Sequence, residues 1–258
     1  MQKLFLLIIT MIIGLFVSST TIKGNDFSNG IQKSETKTFN LSSFNAVKTS
    51  QAIEVEIVKS NEEKAVATST HLSELKIEVK NKTLYIQYKP NVSLKNADTK
   101  VVVYVKDLVK AEAGNASSIK VKSVFENAEQ TFESNGSGKI YADSKASVVN
   151  INTNSAGGFS GKINTKNLNV DANSASMVKI SGSADNAEIN VDSASSLDAK
   201  SMIIQTAKAT ARATSSITLS ISKELRASAS SLGKIRYKML SGIKFSASRS
   251  SGGTIDSI

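Results

Sequence analysis

The stretch VDANSASMVKI, residues 170–180, places a run of very small residues between two segments of alternating apolar residues. About one repeat later, residues 190–200 read NVDSASSLDAK and follow the same plan. Alternation with a period of two is typical of β-strands, and a string of Gly, Ser and Asn between strands is typical of a tight turn. The pattern therefore predicts two short strands joined by a sharp corner.

Eight six-residue strings of this kind follow one another, and an apolar residue closes each of them. The strings are GNASSI, NGSGKI, NSAGGF, NSASMV, DSASSL, RATSSI, SSLGKI and SSGGTI, and the closing residues are Ile119, Ile140, Phe159, Val178, Leu197, Ile217, Ile235 and Ile255. The intervals between closing residues are 21, 19, 19, 19, 20, 18 and 20 residues. A steady period near 20 residues predicts a solenoid, with about eight coils over residues 114–258.

Each coil is expected to supply one strand to each of two main parallel sheets, which gives a parallel β-helix. A second set of polar turn signals lies half a coil away from the strings and predicts a row of turns along the other edge. These signals are ADSK at 142–145, NTKN at 164–167, SADN at 183–186 and SGIK at 241–244.

Small residues suit the corners because stacked coils lie only about 4.8 Å apart. Gly adopts positive φ freely and Asn does so at modest cost, so both favour a hard bend. The first string place holds Asn135, Asn154 and Asn173 in consecutive coils, with Asp192 next. We expect these side chains to hydrogen-bond along the axis as a ladder. A ligand site is the alternative interpretation.

Residues 37–113 do not share the repeat. They contain ordinary strand patterns such as AIEVEIV and TLYIQYK, with NKT at 81–83 as a turn between two of them. An uncovered end coil would expose unpaired strand edges, and solenoids need caps for this reason. This part is therefore predicted to be an antiparallel β section that caps the first coil.

The first 19 residues are typical of a secretory signal peptide. A positively charged start, MQK, precedes a fourteen-residue apolar run and the small residues SSTT, which suits cleavage after Ser19. A membrane anchor is the alternative, but fourteen residues are short for about 30 Å of hydrocarbon. Residues 20–36 are polar and are predicted to be a linker. The expected location is the periplasm, the outer surface or the medium, with no stable membrane span after cleavage.

The composition limits the available chemistry. The chain has no Cys and a single His, His71, so disulfides, thiolate metal sites and His-based triads are not expected. Asp171 and Asp192 are the nearest candidates for a glycosidase pair, but they differ by two places in the string alignment and are not expected to stack. Aromatics make up only 5%, which does not suit a nucleic-acid reader. We expect no cofactor and no enzymatic activity.

Several segments together resemble the head GIN domain family, which comprises auto-transporter-type adhesins among exported bacterial proteins. The segments are FNAVKTSQAIEVEIVKSNEE, LKIEVKNKTLYIQYK, KIRYK at 234–238 and the strings centred on Gly-Ser-Gly. The resemblance covers roughly residues 37–255 and implies a right-handed parallel β-helix of pectin-lyase type. Only Gly136-Ser137-Gly138 keeps the full central motif, and most other strings have Ser or Ala there.

The sequence favours a non-catalytic adhesin or binding module of the cell surface or periplasm. A polysaccharide-cleaving enzyme of the same fold and a purely structural envelope module are the alternatives. Residues 200–258 hold ten basic and two acidic residues, and so account for +8 of the formal charge of +10. The basic side chains have two possible roles. They either protect the exposed edge of the last coil from pairing with other sheets, or they bind an acidic polysaccharide or another glycan of an envelope or host surface. The candidate contact residues are Lys200, Arg212, Arg226, Arg236 and Lys238.

Overall fold

The computed structural model describes residues 33–240, 242 and 244–258. The predicted signal peptide, residues 1–19, and most of the predicted linker lie outside the described residues. The described part is 63% strand and holds no α-helix. No helix in this part is long and apolar enough to cross a membrane.

Nineteen strands are hydrogen-bonded into one sheet in the described part of the chain. In chain order they are β1 (Glu35–Asn40), β2 (Ala46–Thr49), β3 (Glu54–Lys59), β4 (Lys64–Ser69), β5 (Leu75–Lys80), β6 (Thr83–Tyr88), β7 (Thr99–Val105), β8 (Lys110–Ala113), β9 (Ser118–Val121), β10 (Glu129–Ser134), β11 (Lys139–Tyr141), β12 (Val148–Thr153), β13 (Gly158–Ala172), β14 (Met177–Val191), β15 (Ser196–Ala211), β16 (Ser216–Ala229), β17 (Lys234–Met239), β18 (Lys244–Arg249) and β19 (Thr254–Ser257). One 3₁₀ turn, Leu72–Glu74, precedes β5.

The strands wind into a parallel β-solenoid with two faces. Face A contains β2, β6, β8, β10, β12, the second halves of β13 to β16, and β18; face B contains β3, β7, β9, β11, the first halves of β13 to β16, β17 and β19. The parallel register pairs the eight closing residues in sequence, from Ile119 to Ile255, each with the one in the next coil. The predicted repeat and fold class are confirmed.

The closing residues form one row of the core. Val178, Leu197 and Ile217 are paired in register and are at most 2% exposed. Burying a side chain of this size stabilises a fold by about 1.5–3 kcal/mol, so a full row contributes strongly. Phe132 and Phe159 add a tilted ring contact with 5.1 Å between centroids.

Each string forms a turn in which the second and third residues have positive φ, for example 56° at Ser174 and 61° at Ala175. Such a pair of angles is that of a type I′ turn. The turns are linked along the axis, because the third N–H donates to the second carbonyl of the next coil, as Ala156 does to Ser174 at 2.9 Å. We call this stack of turns the corner row.

The side chains at the first string place bond to their own turn and not along the axis as the predicted ladder requires. Asn154 Oδ1 accepts the N–H of Ser155 at 2.8 Å, and Asp192 Oδ1 accepts that of Ser193 at 2.6 Å. These local bonds suit the turn, since an Asx side chain caps the backbone that follows it. Asparagine contacts along the axis occur on face A instead, where Asn169 Nδ2 donates to the Oδ1 of Asn150 at 2.8 Å.

The second edge of the solenoid has no row of turns in the central coils. The segments NTKN and SADN lie inside β13 and β14, and parallel pairing continues through Asn164↔Ser183 and Thr165↔Ala184. The turns predicted there are therefore wrong. The chain bends here without leaving the strand, and the sheet becomes nearly closed at this edge. The register shifts locally where β15 pairs with β14 and with β16.

The N-terminal part joins the solenoid more closely than a separate cap would. Strand β2 lies between β6 and β8, and β3 lies between β7 and β9, all in parallel. Residues 46–59 therefore make a coil of their own, with a corner at Gln51 and Ala52, both of positive φ. Antiparallel pairing is present where β1 meets β4, β4 meets β7 and β5 meets β6.

Candidate functional site

The predicted basic contact residues do not form one cluster. Arg236 and Lys238 point outward from β17 on face B, and Lys200 lies at an irregularity of β15 beside the same face. Arg226 is on face A, where its Nε lies 2.8 Å from Glu224 Oε1, and Arg212 occupies the first string place in the corner row. All five are exposed, but they face different directions.

The candidate catalytic groups are also dispersed. His71 lies at the start of the 3₁₀ turn, where its Nδ1 is 3.0 Å from Thr70 Oγ1. Asp171 pairs in register with Asn190, which donates to it at 3.1 Å, so Asp171 and Asp192 do not stack directly, as predicted. Among the described residues, no three His, Asp, Glu or Cys side chains are grouped to hold a metal ion.

The N-terminal charges on face A are largely paired with one another. Lys48 Nζ lies 2.6 Å from Glu112 Oε1, and Lys110 Nζ lies 2.9 Å from Glu133 Oε2. The hydrogen bond to Glu112 raises the pKa of Lys48 above its usual value, although partial burial opposes that shift. These groups satisfy each other across neighbouring strands, which favours a structural role for them.

Face B has a hollow that differs from this paired surface. Two columns of outward residues run along the axis here: Lys139, Gly158 and Met177 in one, Tyr141, Ser160 and Lys179 in the other. Gly158 and Ser160 are the middle residues of the two columns and have small side chains, whereas the four residues at the ends of the columns have long ones. The middle of this grid is therefore recessed. We call this surface the Gly158 hollow; its cavity volume is ≈ 370 Å³.

The sides of the Gly158 hollow are apolar and open to solvent. Tyr141 is 43% exposed and Met177 is 66% exposed, so the hollow presents an apolar patch to solvent. Gly157, Gly158, Ala156 and Ala175 are also among the lining residues. No Asp or Glu is among the lining residues.

Two neighbouring glycines line the hollow, and the fold requires glycine at only one of these positions. A Cβ on Gly157 would lie 2.2 Å from the carbonyl oxygen of Ser134, so the stacking of coils requires glycine there. A Cβ on Gly158 would meet nothing closer than 3.7 Å, and its φ is not in the left-handed region. The fold therefore does not require a glycine at position 158, and the missing side chain is what opens the hollow.

The rim of the hollow carries two ammonium groups that are not ion-paired within the part of the chain that the structure describes, one of them on Lys179, whose register neighbour is Asp198. Lys120, the register neighbour of Tyr141, is bonded to Glu54 at 2.5 Å and is neutralised. In contrast, neither Lys139 nor Lys179 forms an ion pair with any carboxylate of the described chain, and both are exposed. The two ammonium groups stand at opposite corners of the grid.

Sequence reasoning missed this hollow. Its signal is the pair Gly157-Gly158 at the end of one string, together with outward Tyr141 one coil before it and Met177 one coil after. The residues of one hollow are spread over 41 positions of chain from Lys139 to Lys179, so only the exact register brings them together.

Comparison with known proteins agrees with the fold. A family model described as "Putative auto-transporter adhesin, head GIN domain" matches residues 43–239. The chain belongs to the head GIN domain family. The resemblance seen in the sequence is thereby confirmed. No protein with a curated description matches this member of the family.

Solved structures share the architecture of this head GIN domain at low sequence identity. A "putative adhesin" from Parabacteroides merdae has a TM-score of 0.81 at 18% identity, covering 89% of this chain and 97% of its own. One from Parabacteroides distasonis has a TM-score of 0.80 at 16% identity, with 89% and 98% covered. A "putative lipid binding protein" from that species has a TM-score of 0.76 at 20% identity and the same coverage. Likeness at such identities shows the fold alone.

Proposed function

We propose that this protein is a non-catalytic, exported binding module that acts in the periplasm or at the cell surface in the manner of an adhesin. Membership of the head GIN domain family supports an adhesin-like role and an exported location. Fractionation of the native host, with protease shaving of intact cells, distinguishes the cell surface from the periplasm. Finding the protein only in the cytoplasm would contradict export.

The observation that carries the binding role is the Gly158 hollow. It offers an exposed ring, an exposed thioether and unpaired ammonium groups in one concave place, but its lining has no carboxylate that could act as a general acid or base. A site with this composition is suited to hold a ligand rather than to cleave it. The wider outer surface of face B supports the same role, because parallel strands repeat regularly along it.

The partner we propose is an acidic polysaccharide of an envelope or a host surface. The formal charge of +10 favours association with anionic polymers through many weak contacts. Arg236 and Lys238 lie on face B, on the same side of the solenoid as the hollow, and could extend the contact along a polymer. Arg226 is on the other face and is paired with Glu224, so it is the least suited of the five.

Binding to an acidic and a neutral polysaccharide, at low and high salt, tests this function. We expect binding to the acidic polymer that weakens steeply with salt, because screening shortens to about 8 Å at physiological ionic strength. Replacing Arg236 and Lys238 by Gln should weaken it further, whereas Arg226→Gln should have less effect. Release of shortened chains from either polymer would instead support the alternative of a polysaccharide-cleaving enzyme.

A further inference from the structure

We propose that the Gly158 hollow is a subsite for a single acidic pyranose unit of a glycan, with the sugar ring against Tyr141 and its carboxylate between Lys139 and Lys179. This inference rests on the proposed binding function and specifies where the ligand binds and what chemistry it has. It is independent of the basic residues of the last coils.

The dimensions of the hollow suit one six-membered ring. Met177 lies two strands away from Lys139, about 10 Å along the axis. Tyr141 lies two positions after Lys139 on the same strand, about 7 Å along it. A pyranose with its van der Waals shell is about 6 to 7 Å across, from C–C bonds near 1.5 Å and contacts near 3.5 Å. The volume of ≈ 370 Å³ falls at the small end of ligand pockets, which span about 300–1,000 Å³.

The aromatic ring and the hydroxyl groups that line the hollow are suited to bind a sugar. One face of a pyranose is lined by C–H bonds that carry partial positive charge, and an aromatic ring has a negative face. Tyr141 is 43% exposed and can receive that face of the sugar, while its hydroxyl remains available to the sugar hydroxyls. The hydroxyl of Ser160, on the floor between Tyr141 and Lys179, adds a further donor and acceptor.

The ammonium groups at the rim of the hollow favour a sugar that carries a carboxylate. Lys139 and Lys179 lie diagonally across the hollow, so a carboxylate on a ring seated between them is within reach of both flexible side chains. Lys120 does not compete, since Glu54 holds it. Each ammonium group is a point charge without fixed direction, which suits a carboxylate on a ring of variable orientation better than a bidentate clamp would.

An acyl chain is a poorer occupant of the same place. Burial of apolar surface drives lipid binding, and that requires walls that exclude water. Met177 is 66% exposed and the hollow is open along its length, so a hydrocarbon chain would remain half in solvent. The apolar patch is also interrupted by two ammonium groups and by glycine backbone.

The decisive variant fills the hollow without disturbing the fold. Gly158→Gln places a polar side chain in the centre of the grid, and the space around the new Cβ tolerates it. Ser216→Gln is the matched control, because Ser216 occupies the same outward column three strands later. Tyr141→Ala removes the stacking ring without adding bulk, and Lys139→Gln with Lys179→Gln removes the charge.

Binding is measured against polygalacturonate, the fully methyl-esterified polymer, poly-glutamate and phosphatidylglycerol vesicles. For the wild type we expect polygalacturonate to bind best. Gly158→Gln and Tyr141→Ala should each weaken that binding about tenfold or more, which is the size of one lost stacking or packing interaction, with Ser216→Gln within about twofold. The double Lys variant should lose the preference for the acid over its methyl ester.

The possible failures are distinct. Wild-type binding that ignores Gly158→Gln and Tyr141→Ala would overturn the hollow as the site and leave the proposed binding function intact. No binding to either polysaccharide would overturn the proposed function itself. Binding of poly-glutamate as tight as that of polygalacturonate would show that the protein recognises charge alone. Binding to the vesicles that is lost in Gly158→Gln would show that the hollow binds lipid. Either result overturns the sugar assignment.

Discussion

At the scale of single residues, the corner row depends less on glycine than the sequence pattern indicates. Positive φ is adopted by Thr214 at 63° and Leu232 at 66°, which are residues that resist this conformation. The left-handed region costs an ordinary residue about 1–2 kcal/mol. The bonds that link each corner to the next, such as Leu232 N–H to the Ser251 carbonyl at 3.1 Å, offset that cost.

The fourth string place is restricted more tightly than the second and third. It holds only Ser or Gly in all eight strings. Where Ser occupies it, the hydroxyl bonds to nearby backbone: Ser215 donates to the carbonyl of Val191 at 2.8 Å, and Ser195 accepts the N–H of Ser176 at 3.0 Å. Where Gly occupies it, as at Gly157, the carbonyl of the preceding coil fills the position of a Cβ. The close approach of successive coils at this place explains why the strings contain such small residues.

Two neighbouring substitutions test this restriction. Gly157→Val should lower the free energy of unfolding by about 1–3 kcal/mol, because the new side chain overpacks against the backbone of the coil before it. Gly158→Val, one residue away, should change it by less than about 0.5 kcal/mol, since nothing lies within 3.7 Å of the new Cβ. Urea unfolding of both variants measures the difference, and equal losses would contradict the stacking of coils described here.

At the scale of strands, the N-terminal coils are held by ion pairs that cross from one coil to another. Glu54 on β3 accepts a bond from Lys120 on β9 at 2.5 Å and lies 3.7 Å from Lys100 on β7. The hydrogen bond from Lys120 lowers the pKa of Glu54 below its ordinary value of 4.5, with partial burial opposing. Glu54 therefore connects three strands that are distant in sequence.

The lowered pKa gives a signed prediction. Since the folded protein holds Glu54 ionised more firmly than the unfolded chain does, its contribution is present above about pH 4.5 and is lost as the pH falls through the folded pKa. Glu54→Gln should therefore lose less stability than the wild type between pH 7 and pH 3 in urea unfolding. Glu35→Gln, which removes an exposed carboxylate of β1, is the control. A parallel pH dependence in wild type and Glu54→Gln would refute the coupling.

The strands also show where sequence reasoning succeeds and where it cannot. The closing residues were predictable because each coil repeats the same local pattern, and a slip of one residue would turn the core row outward. The insertion of β2 and β3 between later strands was not, because their partners are 37 to 64 residues away along the chain and carry no repeat. The Gly158 hollow was missed for a related reason, since only the register assembles it.

At the scale of the molecule, the two ends of the solenoid differ. Antiparallel strands β1, β4 and β5 lie beyond the first coil, whereas β18 and β19 have no further strand below them in the described chain. Every residue of β18 is exposed, and Phe245, stacked on Tyr237 with 5.0 Å between centroids, is 40% exposed. The basic residues of the last coils suit this edge, since repulsion opposes pairing with another such edge.

Solenoids are stabilised mainly by contacts between neighbouring coils, so an end with one neighbour opens more easily than the middle. We expect the amides of β18 to exchange with deuterium at least about a hundredfold faster than those of β15, because local opening there costs less free energy than opening of the centre. Hydrogen exchange followed by mass spectrometry, at two protein concentrations, measures this. Equal protection of β18 and β15 that persists on dilution would contradict an open end. Protection of β18 that disappears on dilution would show instead that a second copy of the chain covers it.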